Sequence, residues 1–140
     1  FIADSFISIL RISEDDQIPF EEAEKKLIEI DHAEIGGLIA QRWNFPPQIV
    51  KCIRFHHNPD AAVDVTPAID IVHIADALCL MADIGAGRAG LRHHPSENSI
   101  KRLQITSSIL ELAVSQIPAA LESIDDIFKE MPVEQLAGRW

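Results

Sequence analysis

Thr66-Pro67-Ala68-Ile69-Asp70-Ile71-Val72-His73-Ile74-Ala75-Asp76-Ala77-Leu78-Cys79-Leu80-Met81-Ala82-Asp83 is the stretch on which the fold turns. Thr66 and Pro67 form a cap and first-turn pair, because proline's fixed φ suits the first helical position, where no N–H is needed. The run is too long for a strand and is apolar almost all round, which predicts a long helix in the centre of a bundle. Asp70, His73, Asp76 and Asp83 interrupt it, so it reads as a core helix and not as a membrane span.

The segments on either side carry the same period, and no run alternates as a strand would. Upstream, Ile2, Phe6, Ile9 and Leu10 mark a first helix from Ile2 to about Ile12, followed by a polar, acidic break from Ser13 to Gln17. Pro19 precedes Glu21 and Glu22, whose charges suit the positive end of a helix dipole. Asp31 has the signature of an N-cap, with Glu34 three residues on completing a capping box. Ile35, Leu38, Ile39 and Trp43 then form an apolar stripe. Gly36-Gly37 inside that helix costs about 1 kcal/mol per residue against alanine, which close approach of another backbone would offset. Pro46-Pro47 opens a helix through Ile49, Val50 and Ile53 to His56-His57, and Asn58-Pro59 stops it.

Downstream of Asp83, Gly85 to Ser99 reads as a loop. Thr106 or Ser107 caps a helix through Ile117, Pro118 begins a last one through Phe128, and 131–140 is a short tail. The expected architecture is all-α, one helical domain over residues 1–130 followed by that tail. The opening Phe1-Ile2-Ala3, without methionine and already apolar, looks like the interior of a longer domain.

Composition narrows the function. A chain of 140 residues can bury a real core, and 47% hydrophobic with 24% charged residues is ordinary for a globular protein. The net charge of −10 argues against nucleic acid and anionic membrane as partners, since both call for an excess of Lys and Arg. Cys52 and Cys79 fall within helical patterns, lack metal-ligand spacing and read as reduced thiols of a cytoplasmic protein.

Polar groups on the apolar helices are the candidate chemistry. His32 follows the Asp31 cap and shares a face with Ile35, Ile39 and Trp43. His56 and His57 border the buried stripe of their own helix at its C-terminus, where the dipole favours a charged imidazole. Asp76 stands three residues after His73, so these two are expected to pair as a structural ridge. Singly, each has an ordinary structural explanation. Together, His32, His56, His57 and Asp76 lie on consecutive helices, and imidazole with carboxylate suits zinc, iron or manganese. His93-His94-Pro95 reads as an exposed loop pair. Gly85-Ala86-Gly87-Arg88-Ala89-Gly90 has glycine spacing like a dinucleotide fingerprint but lacks the strand and helix that motif needs.

Four stretches carry a family resemblance: Glu22 to Gly36 around Asp31-His32-Ala33-Glu34-Ile35-Gly36, Arg42-Trp43-Asn44-Phe45-Pro46-Pro47-Gln48-Ile49-Val50, Ile53-Arg54-Phe55-His56-His57-Asn58-Pro59, and Val72-His73-Ile74-Ala75-Asp76-Ala77-Leu78. Taken together they resemble HDOD domains, from about Phe6 to Phe128 and more weakly after Gly85. The resemblance implies a helical bundle like that of the HD phosphohydrolase superfamily, in a bacterial signalling module joined to other signalling domains. It implies that Asp76 matches the last metal-binding aspartate of HD enzymes. It also implies that His32, His56 and His57 match histidines of the cyclic-dinucleotide phosphodiesterase branch.

The departures point away from catalysis. No His-Asp dipeptide occurs in the chain. A gapless comparison sets the dyad upstream of Phe1, and a gapped one sets Ile7-Ser8 on it. The phosphodiesterase branch has Glu where Asn58 stands, and its Gly-Tyr-Pro motif is missing from a chain without tyrosine. The expectation is a non-catalytic signalling or scaffolding domain, acting on other signalling domains or proteins, with no cofactor. The alternative is a phosphohydrolase using divalent Fe, Mn or Zn, with its dyad supplied from upstream.

Overall fold

The fold is that of a computed structural model, which describes residues 2–82, 84 and 93–130. Among these residues all regular structure is helical: α1 (Ile2–Asp16), α2 (Phe20–Ile28), α3 (His32–Arg42), α4 (Pro47–Phe55), a single 3-10 turn (Pro59–Ala61), α5 (Pro67–Met81), α6 (Glu97–Leu103) and α7 (Ser107–Glu130). The chain divides into two units, Phe1–Ile105 and Thr106–Trp140. The tail 131–140 and the run Gly85 to Gly90 lie outside the described residues.

Local chemistry sets the helix ends of the first unit. Asp31 caps α3 as its spacing predicts, its Oδ1 accepting from the Glu34 N–H at 2.7 Å, and Lys25 pairs with its Oδ2 at 2.8 Å. Pro47 and Pro67 each occupy the first turn of their helix. Thr66, however, makes no side-chain cap bond, and its Oγ1 is buried without a partner. The acidic stretch after Ile12 does not break α1, which continues to Asp16. There the Ser13 hydroxyl donates to the Ile18 carbonyl at 2.7 Å, and Lys26 pairs with Asp16 at 2.7 Å, so the exposed turn is anchored at both ends.

Packing follows the small residues. α3 buries Ala33, Gly37 and Ala40, whereas the expected stripe of Leu38, Ile39 and Trp43 is exposed, Trp43 at 67%. The glycines explain the reversal. A Cβ on Gly36 would lie 2.9 Å from Ile53 Cγ2, and one on Gly37 2.9 Å from Arg54 Cβ. Ile53 and Arg54 of α4 therefore occupy the space that a Cβ on α3 would take, most tightly at Gly37, where the Arg54 Cβ itself would have to shift.

α5 is buried along Ile69/Asp70, His73/Ile74 and Ala77/Leu78, pairs repeating every four residues, while Ile71, Val72 and Met81 are exposed. It is thus a one-sided helix, not one surrounded. Its partner α6 begins inside the stretch expected to be loop, Gly85 to Ser99, and runs on to Leu103. Ser96 accepts from the Ser99 N–H at 3.4 Å to start it. Arg102 and Ser99 then bond the buried Asp70 carboxylate.

In the second unit, α7 runs unbroken through Pro118, where two helices were expected. Proline removes one ladder bond, but Ala119, Ala120, Leu121 and Glu122 are strong helix formers that carry the helix on.

Candidate functional site

Five segments meet around one group of imidazoles. His32 opens α3, His56 and His57 follow α4, and Asp76 lies on α5. His93 belongs to the segment leading into α6, and Glu21 to the first turn of α2. The ring centroids of His56 and His57 are 3.9 Å apart, those of His32 and His57 4.8 Å, and those of His57 and His93 5.1 Å.

Hydrogen bonds fix which ring edges are committed. His32 Nδ1 meets Glu24 Oε2 at 2.5 Å, and the same oxygen accepts from the His32 backbone N–H at 3.0 Å. The opposite edge, His32 Nε2, meets His57 Nε2 at 2.8 Å. His56 Nδ1 donates to the Ile53 carbonyl at 2.7 Å, which leaves its Nε2 uncommitted. Asp76 Oδ2 approaches His57 Nδ1 to 3.5 Å without forming a hydrogen bond. His57 Nδ1 is therefore a buried polar atom with no hydrogen-bond partner.

With one proton on His32, donated to Glu24, its Nε2 accepts from His57 Nε2–H. His57 then presents a bare lone pair at Nδ1. Burial, reinforced by the neighbouring His56, pushes the His57 pKa down to about 3, so this ring is neutral and ligand-competent near neutral pH.

The predicted candidates come together only in part. His32, His56 and His57 offer ligand atoms all within 4.8 Å of one another. Asp76 stands at the far edge of the His57 ring from His32 and belongs to no such set. The expected His73–Asp76 pair does not form as a hydrogen-bonded unit. His73 Nδ1 donates to the His56 carbonyl at 2.6 Å, and its Nε2 accepts from the Ser96 N–H at 2.9 Å, so both nitrogens are spent elsewhere. His73 ties the end of α4 to the start of α6, while Asp76 faces His57.

Two residues of the site were not singled out in the sequence. His93, read as an exposed loop histidine, is buried and bonds Glu21 Oε2 through Nε2 at 2.8 Å; its neighbour His94 is exposed. That bond raises the His93 pKa above the usual imidazole value. Burial works to raise the Glu21 pKa, but the His93 hydrogen bond and charge outweigh it and hold the carboxyl below its ordinary value. Glu21, His57 and His93 form a second set within 4.8 Å. Only the excess of buried polar chemistry around His57 hints at it, because Glu21 and His93 are 72 positions apart.

A cleft of about 310 Å³ opens beside this cluster, with Glu21, His57, Lys25, Asp31 and Arg54 among its walls. A separate groove of about 500 Å³ between α4 and α5 is lined by Ile49, Cys52, Ile53, Ala68 and Val72, with Gln48 and His56 at its edges. Both cysteines are free thiols, as expected. Among the described residues no helix is long and apolar enough to cross a membrane.

Comparison with known proteins agrees with the helical site. Residues 1–59 match the family model of the HDOD domain. The crystal structure of an HDOD domain protein of unknown function from Geobacter sulfurreducens superposes with a TM-score of 0.64 at 26% identity, covering 93% of this chain and 47% of that one. An uncharacterised protein of Treponema pallidum is 38% identical over 71 residues, which is 50% of this chain and 14% of the relative. Ribonuclease Y of Treponema denticola is 37% identical over 84 residues, 58% of this chain and 14% of the enzyme. The matched region thus spans about 14% of the length of these curated relatives.

Proposed function

The chain carries an HDOD domain, and from that premise we propose that it is a non-catalytic interaction domain of the signalling type, working through contacts with other domains or proteins. The observation that carries this reading is the set of large apolar side chains left exposed on α3, α4 and α5 together with the apolar groove between α4 and α5. Leu38, Ile39, Trp43, Ile49 and Val72 are all exposed, and Ile49 and Val72 wall the apolar groove. Large apolar side chains gathered at a surface are the usual mark of a protein contact. His56 lines that groove and also belongs to the histidine cluster, so a partner seated in the groove touches the polar centre directly.

A second reading, a metal-dependent phosphohydrolase, is favoured by the triad of His32, His56 and His57 and by the likeness to a ribonuclease. The donor set fits a borderline divalent ion, since three imidazoles offer atoms within 4.8 Å and His57 is held neutral. His32, His56 and His57 would hold the ion, which would supply Lewis-acid activation of water. The triad nevertheless lacks a carboxylate of its own, because the His57 ring separates His32 from Asp76. The His32 and His57 Nε2 atoms instead bond each other directly at 2.8 Å.

Turnover decides between the two. Nucleoside monophosphates, cyclic dinucleotides and a generic phosphodiester are supplied with manganese, iron and zinc in turn. No turnover is expected. Metal-dependent hydrolysis that disappears in His32→Ala would overturn the interaction reading.

A further inference from the structure

We propose that Glu21, His57 and His93 bind one first-row divalent transition-metal ion, zinc foremost, which staples the start of α2, the end of α4 and the segment leading into α6 together. This site is distinct from the His32–His56–His57 triad and shares only the His57 ring with it.

Geometry carries the assignment. The three ligand atoms lie within 4.8 Å of one another and come from three separate parts of the chain. Their side chains are enclosed, His57 and His93 each 10% exposed and Glu21 13%. Surface carboxylates near a histidine are commonplace, but three enclosed donors converging on one point are not.

The unpartnered His57 Nδ1 supplies a second, independent observation. Leaving a buried polar atom unsatisfied is costly, and no group among the described residues offsets it here. The Glu21–His93 ion pair explains those two residues and leaves His57 Nδ1 unexplained. An ion explains all three. It takes the place of the proton between Glu21 Oε2 and His93 Nε2 and accepts the His57 lone pair.

The donor set also selects the ion. Two imidazole nitrogens and one carboxylate oxygen suit zinc, cobalt or nickel, whereas magnesium and calcium prefer all-oxygen shells. Three protein ligands leave one position for water, and the cleft that Glu21 and His57 line gives that position access to solvent. Asp76, 3.5 Å from His57 Nδ1, adds negative charge beside the site. On the far edge of the His57 ring, His32, itself held by Glu24, bonds Nε2 and fixes the ring's orientation, as a hydrogen-bond partner behind a metal-bound histidine does.

The test is zinc binding to the intact chain, by calorimetry for stoichiometry and by ring-nitrogen NMR for the ligands. One zinc per chain is expected, with the His57 Nδ1 and His93 resonances shifting on addition. Glu21→Gln and His93→Gln should each weaken binding by about 100-fold or more, beyond the roughly 10–100-fold loss that follows removal of a supporting partner. His56→Gln should leave affinity unchanged. Circular dichroism and a cooperative melt establish that each variant is folded, and if His93→Gln fails there, Glu21→Gln decides alone. A folded wild-type chain that binds no zinc would overturn the proposal. So would binding that survives Glu21→Gln but is lost in His56→Gln, which assigns the ion to the other triad.

Discussion

Arg102 grips Asp70 through two nitrogens, Nε to Oδ2 at 2.8 Å and Nη2 to Oδ1 at 2.6 Å, while its Nη1 reaches Asp60 Oδ1 at 2.7 Å. This fork fastens α6 onto α5, and the buried Ser99 hydroxyl adds a third bond to Asp70 at 2.7 Å. The planar guanidinium matches the carboxylate in a way lysine does not.

Acid should loosen this joint. The Arg102 hydrogen bonds hold the Asp70 carboxyl below its usual value. A depressed folded-state pKa contributes stability that is fully present above the unfolded value, near 3.9, and is lost as pH falls through the folded one. Melting followed from pH 7 to pH 2 should show a drop below about pH 4 that is smaller in Asp70→Asn. At pH 7 the same variant should be about 1–3 kcal/mol less stable, since Ser99 and its neighbours lose an ionised acceptor. Identical acid limbs in the two proteins would show that Asp70 contributes nothing.

Gly37→Ala should destabilise the first unit by up to about 2 kcal/mol in denaturant unfolding. Alanine gains about 1 kcal/mol in helix propensity, but its Cβ meets Arg54 Cβ at 2.9 Å, and overpacking of this kind costs about 1–3 kcal/mol. Gly36→Ala should be milder, because Ile53 Cγ2 sits at the end of a side chain that can turn away. Stabilisation by Gly37→Ala would contradict the close packing of α3 on α4.

His73→Phe should leave the Ser96 N–H without its acceptor at a cost of about 1–3 kcal/mol. Amide hydrogen exchange at Ser96 reads this locally, and it should quicken far more than exchange in α1. Asp76→Ala should leave Ser96 exchange unchanged, because Asp76 faces His57 instead.

Pro118→Ala should strengthen α7, since proline in a helix interior is about 3 kcal/mol worse than alanine. Slower amide hydrogen exchange within α7 around residues 114–118 is the outcome to look for, and exchange that quickens there would contradict it.

How much of this was legible in the sequence varied with range. The Asp31–Glu34 cap was readable because it is local chemistry over three residues. Convergence of His32, His56 and His57 was readable because α3 and α4 are consecutive and Gly36-Gly37 announced their close approach. The burial pattern of α3 was not. Ala33, Gly37 and Ala40 describe one helical face, Ile35, Leu38 and Ile39 another, and size alone favoured the wrong one. Glu21 and His93 escaped notice because an ion pair spanning 72 positions leaves no periodicity behind. His73 and Asp76 were paired on spacing, yet His73 finds its partners off the helix, on backbone groups that no side-chain pattern encodes.

The packing of Ile53 and Arg54 onto Gly36 and Gly37 has a mechanical consequence. Sliding α4 along α3 by one turn, about 5.4 Å, would take Ile53 and Arg54 off the two glycines and set them against positions of α3 that carry side chains, His32 and Ala33 one way or Ala40 and Gln41 the other. The two helices are therefore geared together. A push delivered at Trp43 or Ile49 travels as a tilt of the whole pair, and His32 keeps its distance from His56 and His57 throughout. The histidines respond to such a push only through what α2, α5 and the 93–96 segment do around them.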